Sequence, residues 1–500
     1  MNMNKENNMT NYIEKEANIA YTENGAVTNA STESDCLDLF ATIGAIRKAD
    51  EGRIIGSFLR AYAENPDYAM KILFFGRDVR EGLGERRVFR VIINWLANNR
   101  EESLRKNIEL IPEYGRYDDL VALIGTACEK DAIAVIKKQL EADLASEGEV
   151  SLLAKWLPSV NASNRETVWN AKRIARALGM SDAQYRKTLV SLRKRINIIE
   201  NNLREKDYTF DYSRQPSNAM LKYRNAFIRN DGERYNEFLE QVRSGEKKLH
   251  TDTLTPYEVV RTVLNNIGWD AEWNKPLKLS ESERNSLNTT WESLPDLCNN
   301  ENAMAVIDTS GSMYCDGALP ISVALSLGLY FGERNTGVFH NKVIEFSSHP
   351  EFIEIKGETF VDRLEYLSTF CEIADTNIEA VFNLILSAAV NNNVPQEELP
   401  ETLYIISDME FNMCTQRASI SNFENAKRRF AEYGYKLPKI IFWNVASRNA
   451  NQPVTKNEQG VALVSGCSPR LFSMVVSGEL TPYTAMMEVI ESERYAPISA

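Results

Sequence analysis

Short apolar runs at 303–307, 342–346, 402–406, 439–443 and 461–464 alternate with helical stretches near 319–332, 377–391, 422–433 and 481–493. Strands and helices that alternate in this way predict a parallel, doubly wound α/β sheet of Rossmann-like type. Thr481-Pro482 marks one helix start, a cap residue followed by proline at the first helical position. Upstream, from Asp35 to about Asp296, the apolar period is helical instead. Phe58, Leu59, Tyr62, Phe74, Phe75, Val88, Val91, Ile92 and Trp95 recur at helical intervals, broken by Asn65-Pro66 and by Arg77 to Gly84. Leu189, Leu192, Ile196 and Ile199 form a later stripe, with Lys187 and Lys194 pointing roughly the opposite way. Successive helix pairs predict an all-α solenoid, inferred from architecture because no fixed-length repeat is visible. The division expected is a flexible polar tail over 1–35, a helical domain over 36–298 and an α/β domain over 299–500, with the boundary near Pro295 to Asn302.

Composition narrows the chemistry. No run of about 18 apolar residues occurs, so no membrane span is expected. The first 35 residues lack the basic start and apolar stretch of a signal peptide, which predicts a cytoplasmic protein. Seven cysteines without C-x-x-C spacing argue for reduced thiols and against a zinc site. Three histidines, His250, His340 and His349, give poor support to a histidine-based metal centre or triad. The net charge of −13 is unevenly spread. Residues 155–250 carry 20 Lys and Arg against 11 Asp and Glu, or +9, whereas 301–500 carry 14 against 25, or −11. Any nucleic-acid contact therefore belongs to the basic middle; a solvated helical face is the competing reading.

Asp308-Thr309-Ser310-Gly311-Ser312 follows the first strand of the α/β part directly. It sets one carboxylate and two hydroxyls on a tight turn at the strand's carboxyl end, the side on which open α/β sheets bind ligands. Thr376, ahead of the next long helix, adds a hydroxyl, and Asp408, after the run 402–406, adds a carboxylate. Oxygen donors of this kind suit magnesium, or another divalent cation such as manganese. Each residue also has a plainer role, with Ser312 or Asp316 capping the helix near Pro320 and Thr376 capping the one after it. Taken in order, Asp308, Ser310, Ser312, Thr376 and Asp408 resemble the metal-ion-dependent adhesion site of von Willebrand factor A domains. That resemblance implies that Ser310 and Ser312 bind the ion directly, Thr376 directly or through water, and both carboxylates mostly through water. It also implies an open position that an acidic side chain of a protein partner, or a phosphate, could complete. With no second acidic residue two positions on and no histidine nearby, a hydrolase is disfavoured and a non-enzymatic protein is expected.

Leu73-Phe74-Phe75-Gly76-Arg77-Asp78-Val79-Arg80, Gly82-Leu83-Gly84-Glu85-Arg86, Tyr114-Gly115-Arg116-Tyr117-Asp118-Asp119-Leu120, Leu152 to Ser159 and Gln215 to Met220 extend the likeness. The whole resembles the Ro autoantigen, or TROVE, family, and more closely an uncharacterised bacterial and phage branch of it known only as a domain of unknown function. The resemblance implies a HEAT-like helical ring that binds structured or single-stranded RNA, in a ribonucleoprotein. The candidate RNA-binding residues are Lys155, Arg165, Lys172, Arg173, Arg176, Arg186, Lys187, Arg193, Lys194, Arg195, Lys222, Arg224 and Arg229. Tyr185, Tyr212, Tyr223 and Phe227 could offer stacking faces, though core packing explains most of them. The alternative is an assembly protein, plausibly of a phage, that uses the metal for protein contacts and binds no RNA. The Arg77 to Arg86 loop reads best as a helix connector, its Gly82-x-Gly84 being only weakly like a phosphate loop.

Overall fold

The computed structural model describes residues 16–196, 198–264, 279–298, 302–346, 349–371, 375–413, 420–474 and 480–500. The chain divides into two compact units, one of residues up to 49 with 254–491, the other of 50–253 with 492–500.

In the first unit, β1 (Ile19–Tyr21) and β2 (Val27–Asn29) form an antiparallel hairpin. The remaining strands are β3 (Ala303–Asp308), β4 (Lys342–Phe346), β5 (Glu351–Glu354), β6 (Thr402–Ser407), β7 (Lys439–Asn444) and β8 (Val461–Ser465). They make one mixed sheet in the order β5-β4-β3-β6-β7-β8, parallel throughout except for the β4–β5 pair. The five apolar runs read from the sequence are β3, β4, β6, β7 and β8. β3, β6 and β8 are buried end to end, so they show unbroken apolar runs where an exposed sheet would alternate.

Both faces of the sheet are covered. Met304, Val306, Ile344, Leu403, Ile405, Ile440, Phe442 and Leu463 pack with Val381, Phe382 and Ile385 of the helix Ile378–Asn392, and with Phe423 and Phe430 of the helix Asn422–Glu432. On the opposite face, Phe331 of the helix Cys315–Arg334 meets Tyr404 at 4.9 Å between ring centroids. That helix is long and apolar enough to cross a membrane by composition, and 83% of its apolar window is buried within the unit. Burial on all sides explains an apolar helix in a protein core. Asp316, Gly317 and Ala318 at its start have φ of 54°, 66° and 55°, so regular right-handed turns begin only beyond Ala318, with Pro320 in the first.

Two sequence expectations change here. The polar stretch 16–35, expected to be a flexible tail, carries the β1–β2 hairpin and enters the α/β unit; residues 1–15 of that stretch lie outside the described residues. The Asn29 and Gln452 backbones exchange hydrogen bonds of 3.0 and 2.8 Å, and the Thr22 hydroxyl donates to the Phe411 carbonyl at 2.6 Å. Second, the helices Asp35–Thr42, Pro256–Leu264 and Glu281–Glu292 lie in the compact unit that holds the sheet, although their helical period groups them with the helical part.

The second unit is helical. Its longer helices are Glu51–Glu64, Pro66–Arg77, Arg86–Asn99, Glu129–Ala145, Arg165–Ala177, Asp182–Arg195 and Ser217–Arg243, the last with a break in helical geometry at Asp231. Caps mark the starts that the sequence signals, with Asn65 accepting from the Tyr68 amide and Pro66 in the first turn. The last nine residues return to this unit, where Arg494 pairs with the buried Asp78 at 2.8 Å and the Tyr495 ring stacks 5.9 Å from Tyr114.

Candidate metal centre

Asp308 ends β3 and Ser407 ends β6; the register that pairs Ile307 with Ile406 sets them side by side. The Ser407 hydroxyl donates to Asp308 Oδ2 at 2.5 Å, and the Ser310 amide donates to Oδ1 at 2.9 Å. Ser310 and Ser312 present their hydroxyl oxygens 3.2 Å apart. Ser312 also hydrogen-bonds to Asp408, whose Oδ1 accepts from the Glu410 amide at 3.2 Å. Four of the five residues singled out in the sequence, Asp308, Ser310, Ser312 and Asp408, are thus joined in one constellation. Thr376 is buried, and its carbonyl accepts from the Asn412 amide at 2.8 Å, which ties its loop to the segment after β6. The plain capping roles do not hold. Asn377 caps the helix Ile378–Asn392 in place of Thr376, and no side-chain cap closes the helix Cys315–Arg334.

Both carboxylates sit where charge is costly. Asp308 is fully buried and its carboxyl is pushed up to about 7, first by burial and then by the Asp408 charge. Asp408 is also raised by burial, while the Arg448 guanidinium, 2.8 Å from its Oδ2, pulls the other way. Arg448 in turn pairs with Glu23 of the hairpin at 2.7 Å, and the buried Glu410 accepts from the Glu23 amide at 2.7 Å. Glu345 of β4 is buried beside the loop and accepts from the Thr309 hydroxyl. Ser407, Arg448, Glu345 and Glu410 were not singled out in the sequence. Only the position of Ser407, one residue before Asp408 at a strand end, carried a signal of its role.

Among the described residues no group of three or more His, Cys, Asp or Glu is placed to hold a metal. A cation at this loop would meet hydroxyls, water and the two carboxylates of Asp308 and Asp408. The donor set fits such an ion. Adjacent oxygens of an octahedral ion with bonds of about 2.1 Å lie about 3 Å apart, which the Ser310 and Ser312 hydroxyls match. The nearby Cys315 thiol is raised by burial and Cys371 is pushed up to about 12, so both stay protonated near neutrality. The six cysteines among the described residues are free; Cys414 lies outside them.

The structure separates the thirteen basic candidates of the helical unit into three kinds. Arg193 donates to the Ala154 and Leu157 carbonyls at 2.7 and 2.9 Å, Arg195 to those of Asp143, Ser146 and Gly148, and the buried Arg224 to that of Leu221. These three fasten backbone. Lys155, Lys172 and Arg173 face Glu200, Asp182 and Glu129 at 3.9, 3.6 and 2.6 Å. Arg165, Arg176, Arg186, Lys187, Lys194, Lys222 and Arg229 are exposed. Tyr185, Tyr212 and Phe227 are buried in the core, and Tyr223 is half-buried. The aromatic ring that does reach solvent was missed. Trp169 is 49% exposed, and the Arg173 guanidinium lies 5.0 Å from its ring centroid. Arg165, Trp169, Lys172 and Arg176 follow i, i+4, i+7, i+11 spacing and share one stripe of the helix Arg165–Ala177.

Comparison with known proteins places the whole chain. It is 28% identical over 523 residues to "Uncharacterized protein L728" of Acanthamoeba polyphaga mimivirus, covering 96% of this chain and 89% of that protein. Among solved structures it is similar to the Deinococcus radiodurans RO (RSR) protein at 13% identity and a TM-score of 0.42, over 92% of this chain and all of that one. A family model described as Domain of unknown function (DUF7788) matches residues 302–495, and one described as Domain of unknown function (DUF2828) matches 22–142 and 117–301. The latter spans more than half of the sequence, and the chain belongs to the family described as Domain of unknown function (DUF2828).

Proposed function

We propose that this is a non-enzymatic, cytoplasmic binding protein whose α/β unit is a von Willebrand factor A-type domain holding magnesium or manganese at Asp308, Ser310, Ser312, Thr376 and Asp408. The observation that carries this reading is the pair of buried carboxylates joined to two serine hydroxyls at the carboxyl ends of neighbouring parallel strands. A bound divalent cation would supply a positive centre able to accept an acidic group from a protein partner. The chain's own residues prepare for it. Ser407 and the Ser310 amide orient Asp308, and Arg448 holds one oxygen of Asp408. In the helical unit we assign RNA binding, on a HEAT-like scaffold, to the stripe of Arg165, Trp169, Lys172 and Arg176 with the exposed Arg186, Lys187 and Lys194. Support comes from an exposed indole among cations, which suits base stacking beside phosphate contacts.

Titration calorimetry with manganese, and filter binding of RNA copurified from the native host, test the two parts separately. Asp308→Ala is expected to abolish cation binding and leave RNA affinity within about twofold, since the mutated residue lies in the other compact unit. Absence of cation binding by the wild type would overturn the first assignment. A large loss of RNA binding in Asp308→Ala would overturn the independence of the two. The second reading, an assembly protein that binds no RNA, draws on the candidate arginines committed to backbone carbonyls and carboxylates. It prevails if no RNA copurifies.

A further inference from the structure

The loop and helix start around Arg77 to Arg90 meet the segment Gly115 to Asp119 in a compact cluster of charge. Asp119 is fully buried and accepts from Arg77 Nε at 2.8 Å, Arg90 Nε at 2.6 Å and the Arg116 amide at 3.0 Å. Asp118 accepts from Arg116 through both oxygens, at 3.0 and 2.7 Å, and lies 2.7 Å from Arg90 Nη2. The two carboxylates therefore have their acceptor positions filled by three guanidiniums. Gly115 makes this packing possible, because a Cβ there would lie 2.4 Å from Asp119 Oδ2 and 2.9 Å from Arg77 Nε.

Arg86 brings a fourth guanidinium, one helical turn before Arg90 on the helix Arg86–Asn99. It is exposed, with no hydrogen bond or ion pair to another described residue. Although the residue as a whole is exposed, partial burial of its guanidinium and then the Arg90 and Arg116 charges hold it below the ordinary arginine value, with Asp118 and Asp119 acting the other way. Among these six groups the four guanidiniums exceed the two carboxylates by two charges, with the Lys155 ammonium 5.5 Å from the same Trp156 ring centroid and the buried Glu85 next to Arg86 in sequence. Arg116 is stacked 3.8 Å over the half-buried Trp156 ring, which orders its planar fork before any ligand arrives.

We propose that Arg86, Arg90 and Arg116, with Trp156 beneath, form a binding site for a phosphate dianion, either free phosphate or the terminal monoester of a nucleic acid. Guanidinium forks match phosphate oxygens bidentately, and Arg86 brings donors that no protein acceptor uses. The charge selects within the class. A terminal monoester carries close to two negative charges near neutrality and answers that excess of two, whereas a backbone diester carries one. This site uses neither the Trp169 stripe nor the centre at Asp308, and it stands or falls independently of both.

The test uses the full chain, inorganic phosphate, and one oligonucleotide sequence made with either a 5′-phosphate or a 5′-hydroxyl. Calorimetry with phosphate alone and anisotropy with each oligonucleotide read the two sources apart. Binding of inorganic phosphate without preference between the oligonucleotides assigns the site to the free ion; a preference for the 5′-phosphate assigns it to nucleic-acid ends. In either case Arg86→Gln, at an exposed position that leaves the Asp118 and Asp119 pairs intact, should weaken phosphate-dependent binding about tenfold. Arg204→Gln removes an exposed charge of the same unit outside the cluster and should change nothing. The proposal is overturned if the wild type binds no phosphate in any arm, if Arg86→Gln retains full affinity, or if Arg204→Gln weakens binding as much.

Discussion

Asp308 shows how much a single buried carboxylate can govern. Its ordinary value is 3.8, and burial with the neighbouring Asp408 raises it to about 7, so the metal-free fold favours the protonated form. The sign follows from linkage. A group whose folded value is raised contributes stability that is complete below about 4 and is lost as pH rises through about 7. A divalent cation bound as proposed would replace the proton as the positive partner and should reverse the trend. Melting temperature in chelator is expected to fall between pH 5 and pH 8, and saturating magnesium should raise it more at pH 8 than at pH 5. Equal increments at both values would dissociate the carboxylate from the ion. The spacing of hydroxyls and carboxylates at strand ends made Asp308, Ser310, Ser312 and Asp408 readable from sequence. Arg448 and Glu23 were not readable, because a salt bridge between residues 425 positions apart leaves no local pattern. Trp169 was missed for a related reason, since a tryptophan in a helical pattern reads as core until its exposure is known.

At the level of elements, the fully buried strands were the easiest to see and the edges the hardest. β5 has three exposed residues in four and carries glutamates at both ends, so it lacks the apolar run that marked its neighbours. The β1–β2 hairpin is three residues a side, held by backbone bonds to loops that composition cannot reveal. Helix and sheet meet closely at Gly328, where an added Cβ would stand 2.7 Å from Cγ2 of the fully buried Ile307. Ile307 immediately precedes Asp308, so this contact also sets the height of the candidate centre. Gly328→Ala is expected to cost about 1–3 kcal/mol in urea denaturation by forcing the helix Cys315–Arg334 away from β3. A change below about 0.5 kcal/mol would mean that the helix can shift without strain.

At the scale of the molecule, the compact units do not follow chain order. The helix Asp35–Thr42 and the turn after it lie against β8, where the Gly44 amide donates to the Ser465 hydroxyl at 3.0 Å and that hydroxyl donates to the Phe40 carbonyl at 3.2 Å. A fragment of residues 299–500, the division that local periodicity suggests, should therefore lack cooperative thermal unfolding and be cut rapidly by protease. Supplying residues 16–49 and 254–298 should restore both properties. Cooperative unfolding of 299–500 alone would show that these segments decorate the sheet without stabilising it.

Sequence by itself determined the period of each long element and the order of the carboxylate and hydroxyl motifs at the strand ends, because both follow from neighbours a few residues apart. Tertiary structure alone decided which arginines fasten backbone and which face solvent, and that residues 16–49 and the last nine belong to different units. Those outcomes depend on burial and hydrogen bonding between residues hundreds of positions apart, where no local spacing records the contact.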